Sequence, residues 1–393
     1  MKSLLAGNGI NIQFDNKNYT TAEIVHRLLQ NCDRDIFPDH IIVNKPYLLK
    51  NYIGRLFLEA RLALQGAYDS YVTCKAEESS LAAFKEQYCH KLYTLRLTDI
   101  GFEDYYLIHD LVCHKCGVVN PEQYSVRESM RIAYLLSIYN DGKLDELHKN
   151  YPPKFIEYLR EFDSIFTTNY DSNIDSVVEK RVYHIHGWFK QLAAVYDTAS
   201  FRNQLPDAPI NTTTVDENYY YLYSNALTTH CGDYKEFQLK QYSYANDAIT
   251  KLAAAYTTNP TVKKDVDLWA SDNNRITANM GHAVKLKVTN PDLTFSDDFH
   301  FDELSKITGE LEILGLSPWN DFHIFESIEN SKITQCTYYY FSDEQRDKVC
   351  EILPTLYAKG CLRLCLRMLL LIFMKMQHLG QLQAQLLFKG SSF

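Results

Sequence analysis

No stretch of this chain reaches the roughly 18 uninterrupted apolar residues that a membrane-spanning helix needs. The nearest candidate, Cys361 to Met376, is broken by Arg363, Arg367 and Lys375. A secretory leader is missing too: one Lys precedes only Ser3-Leu4-Leu5-Ala6, and polar Asn8 and Asn11 follow. Nor is there an excess of positive charge. The net charge of −9 argues against direct nucleic-acid binding or attraction to an anionic membrane, because both select cationic surfaces. The ten cysteines are scattered, and without a leader they are expected as reduced thiols in a cytoplasmic protein.

Familiar catalytic signatures are also absent. The chain has no P-loop, no nucleophile elbow and no His-Glu-x-x-His. Cys113-His114-Lys115-Cys116 is a lone Cys-x-x-Cys, and Cys336 and Cys350 do not supply the second pair of a zinc ribbon, so free thiols are the favoured reading. The dinucleotide fingerprint of dehydrogenases requires a third glycine, an immediate helix and an acid about 20 residues on. After Gly7-Asn8-Gly9 the helical pattern begins only at Thr20, and positions 28 to 30 read Leu-Leu-Gln. Routine hydride transfer is therefore excluded.

What is present is a globular composition, 46% hydrophobic and 23% charged over 393 residues. That length implies two or so compact units, or one domain with large insertions. Ser3 to Ala6 fits a short buried strand, followed by a polar loop over Ile10 to Tyr19. Thr20-Thr21-Ala22-Glu23 offers a capping box for a helix with Ile24, Val25, Leu28 and Leu29 on its buried face. Residues 40 to 160 carry helical periodicity. Two β-rich runs follow, Ser164 to Thr168 and Arg181 to Gly187. Residues 190 to 300 are mainly helical, with loops expected at Pro206 to Pro209 and at Asn259-Pro260. Leu311 to Gly315 and Ile333 to Phe341 read as strands around a helix over Phe322 to Ile328. The tail from Gly360 to Phe393 contains no Asp or Glu. Leu362, Leu366, Leu369, Leu370 and Phe373 would line one side of a helix there, either docked on the core or free to bind a subunit.

Three constellations carry chemistry. Gly7-Asn8-Gly9 suits either a hairpin turn or a loop whose bare backbone approaches a phosphate. Thr167-Thr168-Asn169-Tyr170-Asp171 puts polar groups at a strand end, where open α/β sheets hold ligands, although Asp171 or Ser172 would equally serve as a helix cap. His184-Ile185-His186-Gly187 places two histidines on one strand face. The outer one suits a general base, a structural pair is the alternative, and no third metal ligand has supportive spacing, so no metal is expected.

The order of these pieces resembles the sirtuin (Sir2) family, which carries a Gly-Ala-Gly-Ile-Ser loop, a Thr-Gln-Asn-Ile-Asp strand end and a later His-Gly. Here they correspond to Gly7-Asn8-Gly9-Ile10-Asn11, Thr167-Thr168-Asn169-Tyr170-Asp171 and His186-Gly187. Leu314-Gly315-Leu316-Ser317 looks like that family's Gly-x-Ser turn. Thr168 replaces the family's Gln, and the four-Cys zinc module has no counterpart. These departures look like the Sir2-like NAD-cleaving effectors of bacterial anti-phage defence, above all the subunit that works with a HerA-like hexameric ATPase.

The resemblance implies an α/β fold with a Rossmann-like parallel sheet and large helical insertions. The core would comprise residues 1–40, 160–190 and 300–358, the insertions 41–159 and 191–299, and a basic, apolar assembly tail 359–393. It implies NAD as substrate, hydrolysed to nicotinamide and ADP-ribose. Gly7, Gly9 and Asn11 would cradle the pyrophosphate, and Asn8, Ile10 and Thr168 would belong to the same NAD-binding set. Gly315 and Ser317 would hold the adenosine ribose. Asn169 and Asp171 would orient the nicotinamide ribose and a water, and His186 would act as general base. A homo-oligomer and an ATPase partner are implied as well. The alternatives are an NAD-dependent protein deacylase and a non-catalytic NAD or ADP-ribose binder.

Overall fold

The computed structural model describes residues 1–15, 18–38, 41, 45–119, 122–193, 214–227, 232–319 and 321–366. The expected loop at Pro206 to Pro209 and the tail beyond Leu366 lie outside them. In chain order the helices and strands are β1 (Lys2–Ala6), α1 (Gly9–Phe14), α2 (Thr21–Arg34), α3 (Pro46–Leu64), α4 (Lys75–Tyr88), α5 (Phe102–Cys116), α6 (Glu122–Tyr139), α7 (Pro153–Arg160), β2 (Ser164–Thr167), β3 (Val182–His184), α8 (Gly232–Thr258), α9 (Pro260–Trp269), α10 (Arg275–Thr289), α11 (Phe301–Ser305), β4 (Thr308–Leu314), α12 (Phe322–Glu329), β5 (Lys332–Tyr340), α13 (Asp343–Ile352), α14 (Pro354–Ala358) and β6 (Leu362–Leu366).

The chain divides into two compact units. The first takes Met1–Asn18, Gly142–His186 and the described residues from Phe299 on, and it contains every strand named among the described residues. The six strands form one all-parallel sheet in the order β3-β2-β1-β4-β5-β6, an α/β Rossmann-like arrangement. Both faces of such a sheet must be covered, and a central strand then buries side chains on both of them. β1 shows this directly. Leu4 and Ala6 pack on one face with Ile10 of α1 and with Phe155 and Leu159 of α7. Leu5 packs on the other with Leu304 of α11, Ile324 and Phe325 of α12, Val349 of α13 and Leu356 of α14.

Two local expectations are corrected. The stretch after Gly9 is not a polar loop, because α1 begins at Gly9 itself. Its sequence alternates like a strand, but Ile10 enters the core and Phe14 packs on Tyr151 and Phe155 with ring centroids 4.7 and 4.9 Å apart. That packing selects the helix, and it removes the hairpin reading of Gly7-Asn8-Gly9. Likewise, Leu362 and Leu366 do not start a helix. They belong to β6, the edge strand beside β5, where Leu362 and Leu364 pack against the core. Leucines at 362, 364 and 366 satisfy the two-residue period of a strand as well as 362 and 366 satisfy a helix.

The second unit takes Tyr19–Asp141 and Gly187–Asp298 and consists of helices among its named elements. The helix α2 thus groups with this unit, and residues 142–159 with the sheet. Thr20 caps α2 by accepting from the Glu23 N–H at 3.3 Å, while Ile24, Val25 and Leu28 are buried. Asn259-Pro260 proves to be a helix start: Asn259 caps α9 by accepting from the Thr261 and Val262 N–H groups, with Pro260 at its first position. Within this unit Arg131 is buried. It donates to the carbonyls of Leu222, Ser224 and Ala226 and to Glu128 at 2.8 to 3.0 Å. No described helix is long and apolar enough to cross a membrane.

Candidate functional site

In an open parallel sheet, ligands bind beyond the carboxyl ends of the strands, at the point where strand order reverses. Here that point lies between β1 and β4, and two glycine loops meet there. The Gly7 N–H donates to the Leu314 carbonyl and the Gly9 N–H to the Gly315 carbonyl, each at 2.9 Å. A Cβ on Gly7 would sit 2.5 Å from the Gly315 carbonyl oxygen. Gly315 has φ +77°, and a Cβ there would come within 2.9 Å of the Gly9 Cα. Only bare backbone allows these turns to lie so close. Asn8, at the start of α1, is exposed and makes no side-chain cap bond. The Ile10 side chain is core, and its N–H donates to the Gly7 carbonyl.

The end of β2 folds back toward this junction. The Thr167 hydroxyl accepts from the Asn169 N–H at 3.0 Å, and the Thr168 N–H donates to the Ala6 carbonyl at 3.0 Å. The Asn169 Nδ2 reaches the Gly7 carbonyl at 3.5 Å, so the first two sequence motifs are brought together. Asp171 is engaged by amides of this chain. Its Oδ2 accepts from the Asn11 Nδ2 at 2.6 Å, and its Oδ1 accepts from the Asn173 N–H at 3.0 Å and Nδ2 at 2.7 Å. Burial pushes its carboxyl above the ordinary range, these hydrogen bonds pull it back in part, and nearby Asp145 adds to the rise. Asp171 therefore holds Asn11 in place. The Asn11 Oδ1 is buried and accepts from no described residue.

The two histidines separate in role because β3 ends at His184. His184 is a strut: its ring bridges the Asn169 carbonyl at 3.0 Å and Asp175 at 3.2 Å. His186 lies two residues beyond, and its Nε2 is 3.4 Å from the Asp321 Oδ1. Its ring stacks on that of His323, centroids 5.9 Å apart. Asp321 occupies the cap position of α12, yet its side chain makes no cap bond to that helix. Ser317, after β4, is half-buried and accepts from the Trp319 N–H at 3.4 Å.

Gly7, Asn169, His186 and Gly315 thus stand at or just past the carboxyl ends of β1, β2, β3 and β4, four adjacent strands. Sequence reasoning missed Asp321, His323 and Asn173. Asp321 before an apolar helical run reads as an ordinary cap, and only the folded chain brings Asp321 and His323 to His186. The Cys-x-x-Cys ends α5, with Cys113 buried, Cys116 exposed and both thiols free. Burial pushes the Cys113 thiol up to about 12, so it offers neither a nucleophile nor a ready metal ligand at neutral pH. No family model, no curated protein and no solved structure matches this chain.

Proposed function

We propose that this chain hydrolyses NAD+ to nicotinamide and ADP-ribose, as an effector of the Sir2-like, NAD-depleting kind used in anti-phage defence. One observation carries the reading: the four motifs that are dispersed in sequence end four neighbouring strands, at the place where such sheets hold nucleotides. The loop from Gly7 to Asn11 would lie against the pyrophosphate, and Gly315 and Ser317 against the adenosine ribose. Asn11, fixed by Asp171, presents an amide oxygen that a ribose hydroxyl satisfies. Asn169 orients the nicotinamide ribose.

The chemistry asks little of the protein beyond position and charge. Nicotinamide leaves neutral from a cationic ring, taking the electron pair of the glycosidic bond, and an oxocarbenium-like centre remains on the ribose. Water adds to that carbon and surrenders a proton. His186 takes this proton, with the Asp321 carboxylate beside it to orient the imidazole and to stabilise its cationic form. Cellular NAD would fall when the enzyme is released, and assembly with an ATPase partner is the restraint we infer.

The purified chain, incubated with NAD+ and with or without acetylated peptide, provides the test. Free ADP-ribose without peptide is expected. Product that appears only with peptide would replace the hydrolase reading with a deacylase, and tight NAD+ binding without turnover would replace it with a binder.

A further inference from the structure

We propose that His186, Asp321 and His323 form a binding site for one divalent first-row transition metal, of which zinc is the type. This goes beyond the NAD reading and does not depend on it. One ligand atom from each residue lies within 4.8 Å of the other two, and all three residues are buried. Their exposures are 5%, 7% and 2%, so these are not the loose surface groups that gather by chance.

The distances suit a tetrahedral ion. Ligands bound at about 2.0–2.1 Å at tetrahedral angles stand about 3.4 Å apart. The His186 Nε2 and Asp321 Oδ1 are already 3.4 Å apart. The His323 nitrogen has at most about 1.4 Å to close, within reach of a side-chain rotation. The donor set names the metal class. Two imidazoles and one carboxylate suit zinc, cobalt or iron(II), whereas calcium and magnesium select oxygen alone. Three protein ligands leave a fourth position for water, the pattern of reactive rather than purely structural zinc sites.

The scaffold fits a ligand set as well. Asp321 and His323 come from the first turn of α12 and its cap, and His186 from the segment just past β3. A metal at the His186 Nε2 takes the lone pair that a general base needs. Under the NAD reading alone, occupancy and base catalysis by His186 would exclude one another.

Metal binding by the full chain without NAD is the test, so failure of the NAD reading leaves its result intact. After treatment with a chelator, the protein is titrated with zinc against a chromophoric competitor, and with cobalt(II) while visible absorption is followed. One zinc per chain is expected, together with the intense visible bands of four-coordinate cobalt. His323→Gln and Asp321→Asn are each expected to weaken zinc binding at least tenfold, with unchanged far-UV circular dichroism. Absence of stoichiometric zinc, or binding equal to wild type in both variants, would overturn the site. Should either variant fail to fold, the cobalt spectrum of the wild-type chain decides: bands of a six-coordinate, all-oxygen ion would overturn it equally.

Discussion

Asn11 and Asp171 are joined by a 2.6 Å hydrogen bond between two buried side chains that lie 160 positions apart in the chain. Through this bond the end of β2 fixes the first turn of α1. Asp171 is therefore a positioning residue, and its removal is expected to disturb the site before any ligand is lost. Asp171→Ala leaves the Asn11 and Asn173 donors without their acceptor. Each buried donor left unpaired costs about 1–3 kcal/mol, so a loss of roughly 2–5 kcal/mol is expected in urea unfolding. A loss below about 1 kcal/mol would contradict the network.

The same carboxyl sets a pH dependence. Its acidity is weakened in the folded chain, mainly by burial. The folded state thus holds its proton to higher pH than the unfolded state does, and stability falls as pH rises between the two. Compared with Asp171→Asn, which cannot titrate, the wild type is expected to be relatively most stable below about pH 4, the ordinary range of an Asp carboxyl. That advantage shrinks as pH rises through the raised value and is level above it. Unfolding curves of both proteins across this range read the difference directly, and an advantage that grows with pH would refute the sign.

Gly315 separates crowding from backbone strain. An Ala there meets both a φ of +77° and the backbone of Gly9 and Ile10. Gly117 has a similar φ, +67°, with nothing within 4 Å. Gly117→Ala is expected to cost only the left-handed penalty, about 1–2 kcal/mol. Gly315→Ala is expected to cost clearly more, with NAD+ affinity reduced as well. Equal losses in thermal unfolding would show that the two glycine loops do not press on each other.

Thiol reactivity tests the burial pattern. Cys89 and Cys116 are exposed, whereas burial pushes the thiols of Cys32, Cys113 and Cys336 up to about 12. Alkylation of the native protein at pH 8, mapped by mass spectrometry, is expected at Cys89 and Cys116 and not at the other three until denaturant is added. Native labelling of Cys336 would place β5 outside the core.

Much of the sheet is legible: Ser3 to Ala6 reads as a buried run, and the runs Ser164 to Thr168 and Leu311 to Gly315 overlap β2 and β4. The strand order was not legible, because residues 19–141, most of the second unit, intervene between α1 and α7. That insertion also defeated the search for an acid about 20 residues after the glycine loop. The strand beside β1 comes much later, and the acid past its end, Asp171, is occupied by Asn11 and Asn173. In α1, Ile10, Ile12 and Phe14 satisfy a two-residue period, and only contacts with α7 and the segment before it decide for helix. At the candidate site, motif order names Asn169 and His186, and only the fold shows that the strands they follow are neighbours. Asp321 was not legible, since a cap and an imidazole partner look alike until the chain folds.

The central claim is that His186 works as the base of an NAD-cleaving site, and release of ADP-ribose by chelator-treated wild type and His186→Ala at equal concentration tests it most directly. Loss of a positioned base is expected to lower turnover about a hundred- to ten-thousand-fold, with the thermal transition retained. Wild-type rates in the folded His186→Ala protein would contradict it.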